Sequence, residues 1–477
     1  TILLAALTSY FSGDLRSDFE NYLREPGRAS QGLMPKPRLT LRERDRKFFA
    51  DYVQNLKFKE LVALDPAQLD NESQRNIRRN AELLLQKLDV SFQGATERLC
   101  EFGAFLVQRC FLVVVSTPSQ QSAFRVFSVL NSRGLDLLPT DIIKSDIIGN
   151  IKSPDKQDEV TERWEELEVQ TGRDGFAELF GHIRMIFAKE KARRTLLEEF
   201  REQVIKKYES PETLMSTVVE PFAEAYLIAK KCQYLSTTNA ADVNALLKWL
   251  NRIENSDWLP SAIKFLATQG KNADYVLWFF RKLERLASFM HICGYDVNQR
   301  IERYASVLAA LEGAHSMESP ISAVQLTDEE KSKMLQVVDG DIYLMTARRR
   351  NHLLLRLDAF VGDGAATYDN GLLTIEHVLP QTVDLASDWQ KLWPDEALRQ
   401  RWVHRLANLV PLTQKRNSQA QNYDFDKKKS AYFGGKHGVS SYVLTTQVLN
   451  ASNWTPAVVE QRQSDLIDVL AARWDLK

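Results

Sequence analysis

The stretch Thr374-Ile375-Glu376-His377-Val378-Leu379-Pro380-Gln381 decides how this chain is read. Leu372 to Ile375 is apolar and β-branched enough for a short strand, and a carboxylate and an imidazole follow at its end. Further on, Leu406-Ala407-Asn408-Leu409-Val410-Pro411-Leu412 places a second strand over residues 407–413, and Lys415-Arg416-Asn417-Ser418 opens a short helix expected over 415–421. Asn408 and Asn417 stand nine residues apart. A strand, a loop, a second strand and a helix, carrying Glu-His, Asn and Asn in that order, are the layout of a ββα-metal site.

Hydrolysis of a phosphodiester assigns each residue type a task. An imidazole titrates near neutral pH, so a neutral His377 can take the proton of an attacking water. A hard cation, Mg²⁺ or Mn²⁺, asks for oxygen ligands and accepts few from the protein; the Glu376 carboxylate and the Asn417 amide oxygen suit it. Asn408 is suited to holding the loop that orients His377. His377 and Asn408 are therefore the expected catalytic pair, and Glu376 and Asn417 the expected metal ligands. Taken singly these parts are bland: a Glu-His pair is more often a solvated turn, and a lone asparagine a helix cap. Their joint order is what carries the assignment.

Charge around the same segment points the same way. The chain as a whole is nearly neutral, with 62 Lys and Arg against 63 Asp and Glu, which excludes a globally basic DNA-coating protein. Residues 401–436, however, hold eight Lys or Arg against Asp424 and Asp426, a local excess of +6. Lys415, Arg416, Lys427, Lys428 and Lys429 are the expected DNA contacts. Arg348-Arg349-Arg350 reads as a solvated helix face. His182, His291, His315, His352, His404 and His437 have no partner spacing and default to structural or surface roles.

Towards the C-terminus, Asp426 to Phe433 reads as a short helix, and Pro456 to Trp474 as a longer one capped at Thr455, with Val459, Leu466, Val469, Leu470 and Trp474 as its buried stripe. Towards the N-terminus, residues 153–345 are helical in period throughout. Residues 95–109 form a helix, 110–116 a buried strand and 122–130 a helix; Pro139 opens another with Asp141 in its first turn. Between them Asn131-Ser132-Arg133-Gly134 is either a phosphate-contacting turn, with Arg133 as a fork of donors, or a glycine-capped helix end. Residues 41–58 and 72–89 are charged helices. Thr1 to Leu7 resembles the inside of an apolar helix with no Met before it, so further residues are expected upstream; no signal peptide is read there.

With 44% apolar residues the chain can build real cores. No apolar run approaches the ~20 residues that cross a bilayer, so no membrane partner is expected. Cys100, Cys110, Cys232 and Cys293 are scattered and form no zinc-ligand spacing; they read as reduced, mostly buried thiols of a cytoplasmic protein.

The run Ile375-Glu376-His377-Val378-Leu379-Pro380-Gln381, Leu406-Ala407-Asn408-Leu409, Asn417, and then Phe425, Asp426, Lys428, Lys429 and Tyr432 resembles the C-terminal HNH, or His-Me finger, nuclease domain of GmrSD-type, modification-dependent (type IV) restriction endonucleases. It is also similar to the HNH domain of RNA-guided nucleases. Independently, Phe127 to Leu137 followed by Thr140-Asp141-Ile142-Ile143-Lys144 resembles the stretch that closes the ParB-like, nucleotide-hydrolysing N-terminal domain of the same family. That resemblance strengthens Asn131, Arg133 and Gly134 as nucleotide contacts. An NTP is the implied effector, although the family's D-G-Q-Q-R nucleotide motif is absent from this chain.

The resemblance implies a mainly α (α+β) protein. Residues 1–152 are the remainder of the ParB-like α+β domain, 153–345 an α-helical linker domain and 346–477 the ββα-metal nuclease domain. It further implies a metal-dependent endonuclease acting on modified phage DNA, regulated by the N-terminal domain, with a homodimer among the open arrangements. An RNase or toxin-type nuclease, or a non-catalytic DNA-binding scaffold with a retained nuclease fold, are the alternatives.

Overall fold

The computed structural model describes residues 1–28, 30, 32–41, 43–69, 71–111, 138–362, 373–413, 423–433 and 442–477. By contact the chain forms two compact units, Thr1–Leu137 and Leu138–Lys477. The described residues are mainly helical, as the periodicity predicts. Among them, no helix is long and apolar enough to cross a membrane.

In the first unit the apolar start of the chain becomes a helix, Ile2–Thr8, which sets Ala5, Ala6 and Leu7 into a core with Phe19, Val53, Leu61, Ala81 and Leu99. The Glu72–Phe92 helix begins where the Asn71 side chain accepts a hydrogen bond from the Gln74 amide at 2.9 Å, satisfying a donor the helix leaves open. Gly103, in the Thr96–Arg109 helix, lets Phe19 press against the backbone. A β-carbon there would lie 2.5 Å from the Phe19 ring, so any side chain forces the ring or the helix to shift. Arg24–Glu25 (β1) and Lys36–Pro37 (β2) pair antiparallel at the surface. The expected strand at 110–116, the helix at 122–130 and the turn Asn131–Gly134 fall on 112–137 and so lie, almost wholly, outside the described residues.

The second unit is a helical body with a small sheet set into it. One core runs from Ile143 to Leu476, continuing across residue 345, so the helical stretch and the C-terminal stretch share their apolar interior. Aromatic rings form its densest part: Trp164 meets Phe176 at 5.1 Å, and Phe265 stacks on Phe279 at 3.8 Å. Leu373–His377 (β3) and Leu409–Thr413 (β4) pair antiparallel, with Glu376 opposite Val410 and His377 opposite Leu409. Side chains alternate across β4, so Leu409 joins the large core while Val410 joins a smaller one built on Trp389, Trp393, Trp402, Phe425 and Trp454. β3 runs two residues further than the sequence predicts, to His377, and β4 starts two residues later, at Leu409, while ending at Thr413 as predicted. Ala407 belongs to a 3₁₀ turn, Leu406–Asn408, rather than to the strand. Pro411 has no N–H to donate and sits where a two-stranded sheet tolerates it; its carbonyl accepts from the Thr445 hydroxyl at 2.6 Å.

The C-terminal helix, Pro456–Trp474, begins after Thr455 as expected and buries Val459, Leu466, Leu470 and Trp474. A polar seam locks its end to the helical body. Glu284 accepts from Arg356 at 2.8 Å and from the Trp474 indole at 3.0 Å, and Arg285 donates to the Trp474 carbonyl at 3.1 Å. The cysteines differ from expectation: Cys110 is exposed at the end of its helix, and the other three are half-buried.

His352 lies in this seam, within 3.1 Å of the Ser288 hydroxyl. Burial, helped by His291, Arg356 and Arg252, pulls its pKa from 6.5 down to about 3. Below pH 6.5 the unfolded chain binds a proton here that the folded chain refuses, so this site's stability is complete above 6.5 and is lost as pH falls towards 3. Between pH 7.5 and pH 5 that amounts to about 2 kcal/mol. Urea unfolding of wild type and His352→Gln at the two pH values is expected to show the wild type losing about that much more than the variant.

Candidate active site

β3 ends on Glu376 and His377, and the chain then turns through Val378 and Leu379 away from the sheet. That turn would expose unpaired backbone groups in a buried place, and Asn408 supplies their partners. Its side-chain oxygen accepts from the Leu379 amide at 2.7 Å and from the Trp454 indole at 3.1 Å. Its side-chain nitrogen donates to the carbonyls of Leu379 and Val403, both at 2.9 Å, while its own carbonyl accepts from the Val378 amide at 2.9 Å. Asn408 is wholly buried, and its amide is spent on backbone and indole. Its side chain thus holds the turn after His377.

The 3₁₀ turn that carries Asn408 is clamped from the C-terminal helix. The Ala407 amide donates to Gln463 at 2.8 Å, and Arg462 donates to the Ala407 carbonyl at 3.1 Å.

His377 is 5% exposed. Its Nε2 lies 3.3 Å from Nδ1 of His404, and its Nδ1 lies 3.3 Å from the side-chain nitrogen of Gln381. The Tyr343 ring stands edge-on to it at 4.1 Å and stacks on His404 at 5.6 Å. Arg350 covers the outer face of Tyr343 at 4.5 Å and donates to the Tyr343 carbonyl at 2.9 Å. Burial first, then the nearby His404, Lys428 and Arg350, pull the His377 pKa from 6.5 down to about 3. At neutral pH the ring is therefore uncharged and has a lone pair available.

Lys428 is the largest departure from the sequence reading. Expected on a DNA-facing surface, it is 1% exposed and turned inward, donating to the Glu376 carboxylate at 2.7 Å and to the His377 carbonyl at 2.6 Å. Burial lowers its pKa, and Glu376 acts against that. Helix geometry explains the split. Successive residues of the Phe425–Phe433 helix point about 100° apart, so three lysines in a row cannot share one face. Lys427 is exposed over the Tyr423 ring at 3.5 Å, and Lys429 donates to the Ala451 carbonyl at 3.0 Å. Asn417, Lys415 and Arg416 lie outside the described residues, as do Asn131, Arg133 and Gly134.

Among the described residues no group of three or more His, Cys, Asp or Glu side chains is placed to hold a metal ion. Glu376 is an oxygen donor of the right kind, but a buried ammonium balances its charge. The described donors by themselves do not fit a divalent cation.

Two residues of the site escape sequence reasoning. His404 follows the Glu396–Val403 helix and was expected in a structural or surface role; its nearness to His377 exists only once β3 and β4 pair. Arg350 was expected on a solvated face with Arg348 and Arg349. Arg348 is exposed, but Arg349 donates to the Ile292 carbonyl at 3.0 Å and Arg350 packs on Tyr343. The signal available for His404 was its place four residues before Asn408, in the segment that leads into the second strand.

Two family models match the chain. One, described as the GmrSD restriction endonuclease N-terminal domain, matches residues 2–148, and the other, the C-terminal domain of GmrSD restriction endonucleases, matches residues 328–469. Together they take in more than half of the chain. A search among curated proteins finds no match.

Replacing Asn408 by Ala leaves the Leu379 amide and carbonyl, the Val403 carbonyl and the Trp454 indole without their buried partner. Each such loss costs about 1–3 kcal/mol. Asn408→Ala is expected to lower unfolding stability by about 3 kcal/mol or more, read as a urea midpoint shift. Hydrogen exchange should show faster exchange at the Val378 and Leu379 amides than in wild type.

Proposed function

Because the chain belongs to the GmrSD restriction endonuclease family, we propose that it is a cytoplasmic endonuclease hydrolysing phosphodiester bonds of modified phage DNA, with His377 as general base and its N-terminal unit regulating cleavage. The observation that carries this reading is His377 itself. It is a buried, uncharged imidazole at the end of a strand, beside Glu376, with the turn after it pinned by Asn408.

In this reaction a water oxygen forms a bond to phosphorus as its proton passes to the His377 ring. The bond from phosphorus to the leaving sugar oxygen breaks, and that oxygen takes a proton from solvent. Burial first, then His404, Lys428 and Arg350, keep the free ring uncharged, and a phosphodiester anion that arrives there counters the share owed to the cations. The anion raises the ring's affinity for a proton as the substrate binds. Glu376 holds Lys428, and Lys428 holds the His377 carbonyl, so the carboxylate stiffens the backbone of the base. The antiparallel pair β3–β4, with the Phe425–Phe433 helix tied across it by Lys428, supports a ββα arrangement of the HNH type. Mg²⁺ or Mn²⁺, the ion the family resemblance implies, is the cofactor in this proposal; Glu376, whose charge Lys428 balances, is not assigned to it. Such an ion supplies charge to the scissile phosphate when bound.

The test is strand breakage in plain and modified phage DNA, and in RNA, with and without Mg²⁺ and NTP. Wild type is expected to cut modified DNA in preference to the other substrates, to lose activity in chelator and to regain it with Mg²⁺. His377→Ala is expected to be slower by about 10²–10⁴-fold. Cleavage at the wild-type rate by that variant would remove His377 from the chemistry. Wild-type protein that binds DNA in a salt-sensitive way yet breaks no strand would show a binding scaffold instead.

A further inference from the structure

We propose that His404 is a positioning residue for this nuclease: it accepts the Nε2 proton of His377 and so fixes the tautomer in which Nδ1 of His377 is the basic nitrogen. The proposal rests on the nuclease reading of His377 and names the residue that aims it.

With the nitrogen of the Gln381 amide turned towards His377, the donors and acceptors leave one consistent assignment. A neutral imidazole carries a single N–H, on one nitrogen or the other. The Gln381 side-chain nitrogen can only donate, and it lies 3.3 Å from Nδ1 of His377. Nδ1 is therefore the bare, accepting nitrogen, and the proton sits on Nε2. Nε2 in turn points at Nδ1 of His404, 3.3 Å away. For that contact to be a hydrogen bond, Nδ1 of His404 must be bare, so His404 holds its own proton on Nε2. Each ring dictates the tautomer of the other.

His404 is fixed well enough to serve as a reference. Its carbonyl accepts from the Tyr343 amide at 3.0 Å, and its ring stacks on Tyr343 with the planes 11° apart. Tyr343 is held in turn by Arg350. The two imidazoles meet at 71°, an edge approach that suits an N–H aimed at a lone pair. On the other side Gln381 is exposed, so the Nδ1 edge of His377 is the one a solvent water can reach once that amide swings aside. Without an acceptor at His404, and with the Gln381 amide swung aside, the proton can sit on either nitrogen of His377. Rings protonated at Nδ1 have no lone pair on the solvent side.

Two variants separate this role from packing. His404→Asn places an oxygen acceptor close to where Nδ1 was, whereas His404→Leu fills similar space with no acceptor. His404→Leu is expected to lower kcat for DNA cleavage by about 10–100-fold, by analogy with the partners that orient metal-ligating histidines. KM for DNA should stay within about twofold, because no substrate contact is removed. His404→Asn is expected to recover most of the lost rate. Full activity in His404→Leu, or equal damage in both variants with unchanged melting temperatures, would overturn the proposal.

A second readout does not depend on cleavage. With ¹⁵N-labelled histidine, the His377 ring, assigned by comparison with His377→Ala, is expected to show a bare Nδ1 and a protonated Nε2 in wild type and His404→Asn. In His404→Leu the two nitrogens should move towards averaged shifts. If wild type cuts no nucleic acid at all, the nuclease reading fails while this measurement still judges the pair. Identical His377 signals in wild type and His404→Leu would refute it.

Discussion

The buried amide of Asn408 is the constraint on which this site depends. A strand that ends in a protein interior must place its next carbonyls and amides somewhere, and water is absent there. One asparagine meets that demand on both sides of the Val378–Leu379 turn, and it also reaches Val403 and the Trp454 indole. Because it presents two donors and an acceptor oxygen in one plane, no apolar residue can replace it. The direction of His377 follows from that turn, and the place of His404 follows from the short segment between Val403 and Asn408.

Electrostatics around the turn are set by burial more than by net charge. Glu376 and Lys428 neutralise each other at 2.7 Å inside the protein, where losing either partner would leave a buried charge uncompensated. His377 is kept uncharged by desolvation with cations at hand. A local excess of basic residues in the sequence thus serves two ends: Lys428 and Lys429 fasten the helix to the sheet and to the chain around Ala451, while Lys427 and Arg401 remain at the surface.

The site is also less local than its motif. Tyr343 and Arg350 come from the turn before the Ala347–Val361 helix and from that helix itself, and they complete the surroundings of His377. The same helix supplies Arg356 to Glu284, which receives the Trp474 indole from the end of the chain. The helical stretch and the C-terminal stretch are therefore joined through a shared core and a shared polar seam, and the surroundings of His377 draw on both.

Much was legible in the chain itself. The two short strands, the Pro456–Trp474 helix with its buried stripe and the pairing of Glu376 with His377 at a strand end all follow from local periodicity, capping and β-propensity, which act over a few residues. The place of Asn408 is a matter of geometry, its amide meeting the backbone of Leu379 and Val403. What sequence could not supply was direction across the fold. Whether a lysine in a run of three faces water or a carboxylate depends on which helix face the sheet covers, and that is decided by packing. Whether His404 is an isolated surface histidine or the neighbour of His377 depends on strand register, which joins residues 27 positions apart. Local rules wrote the elements and the motif; the tertiary structure alone chose the partners, because burial and hydrogen-bond satisfaction are properties of the assembled interior.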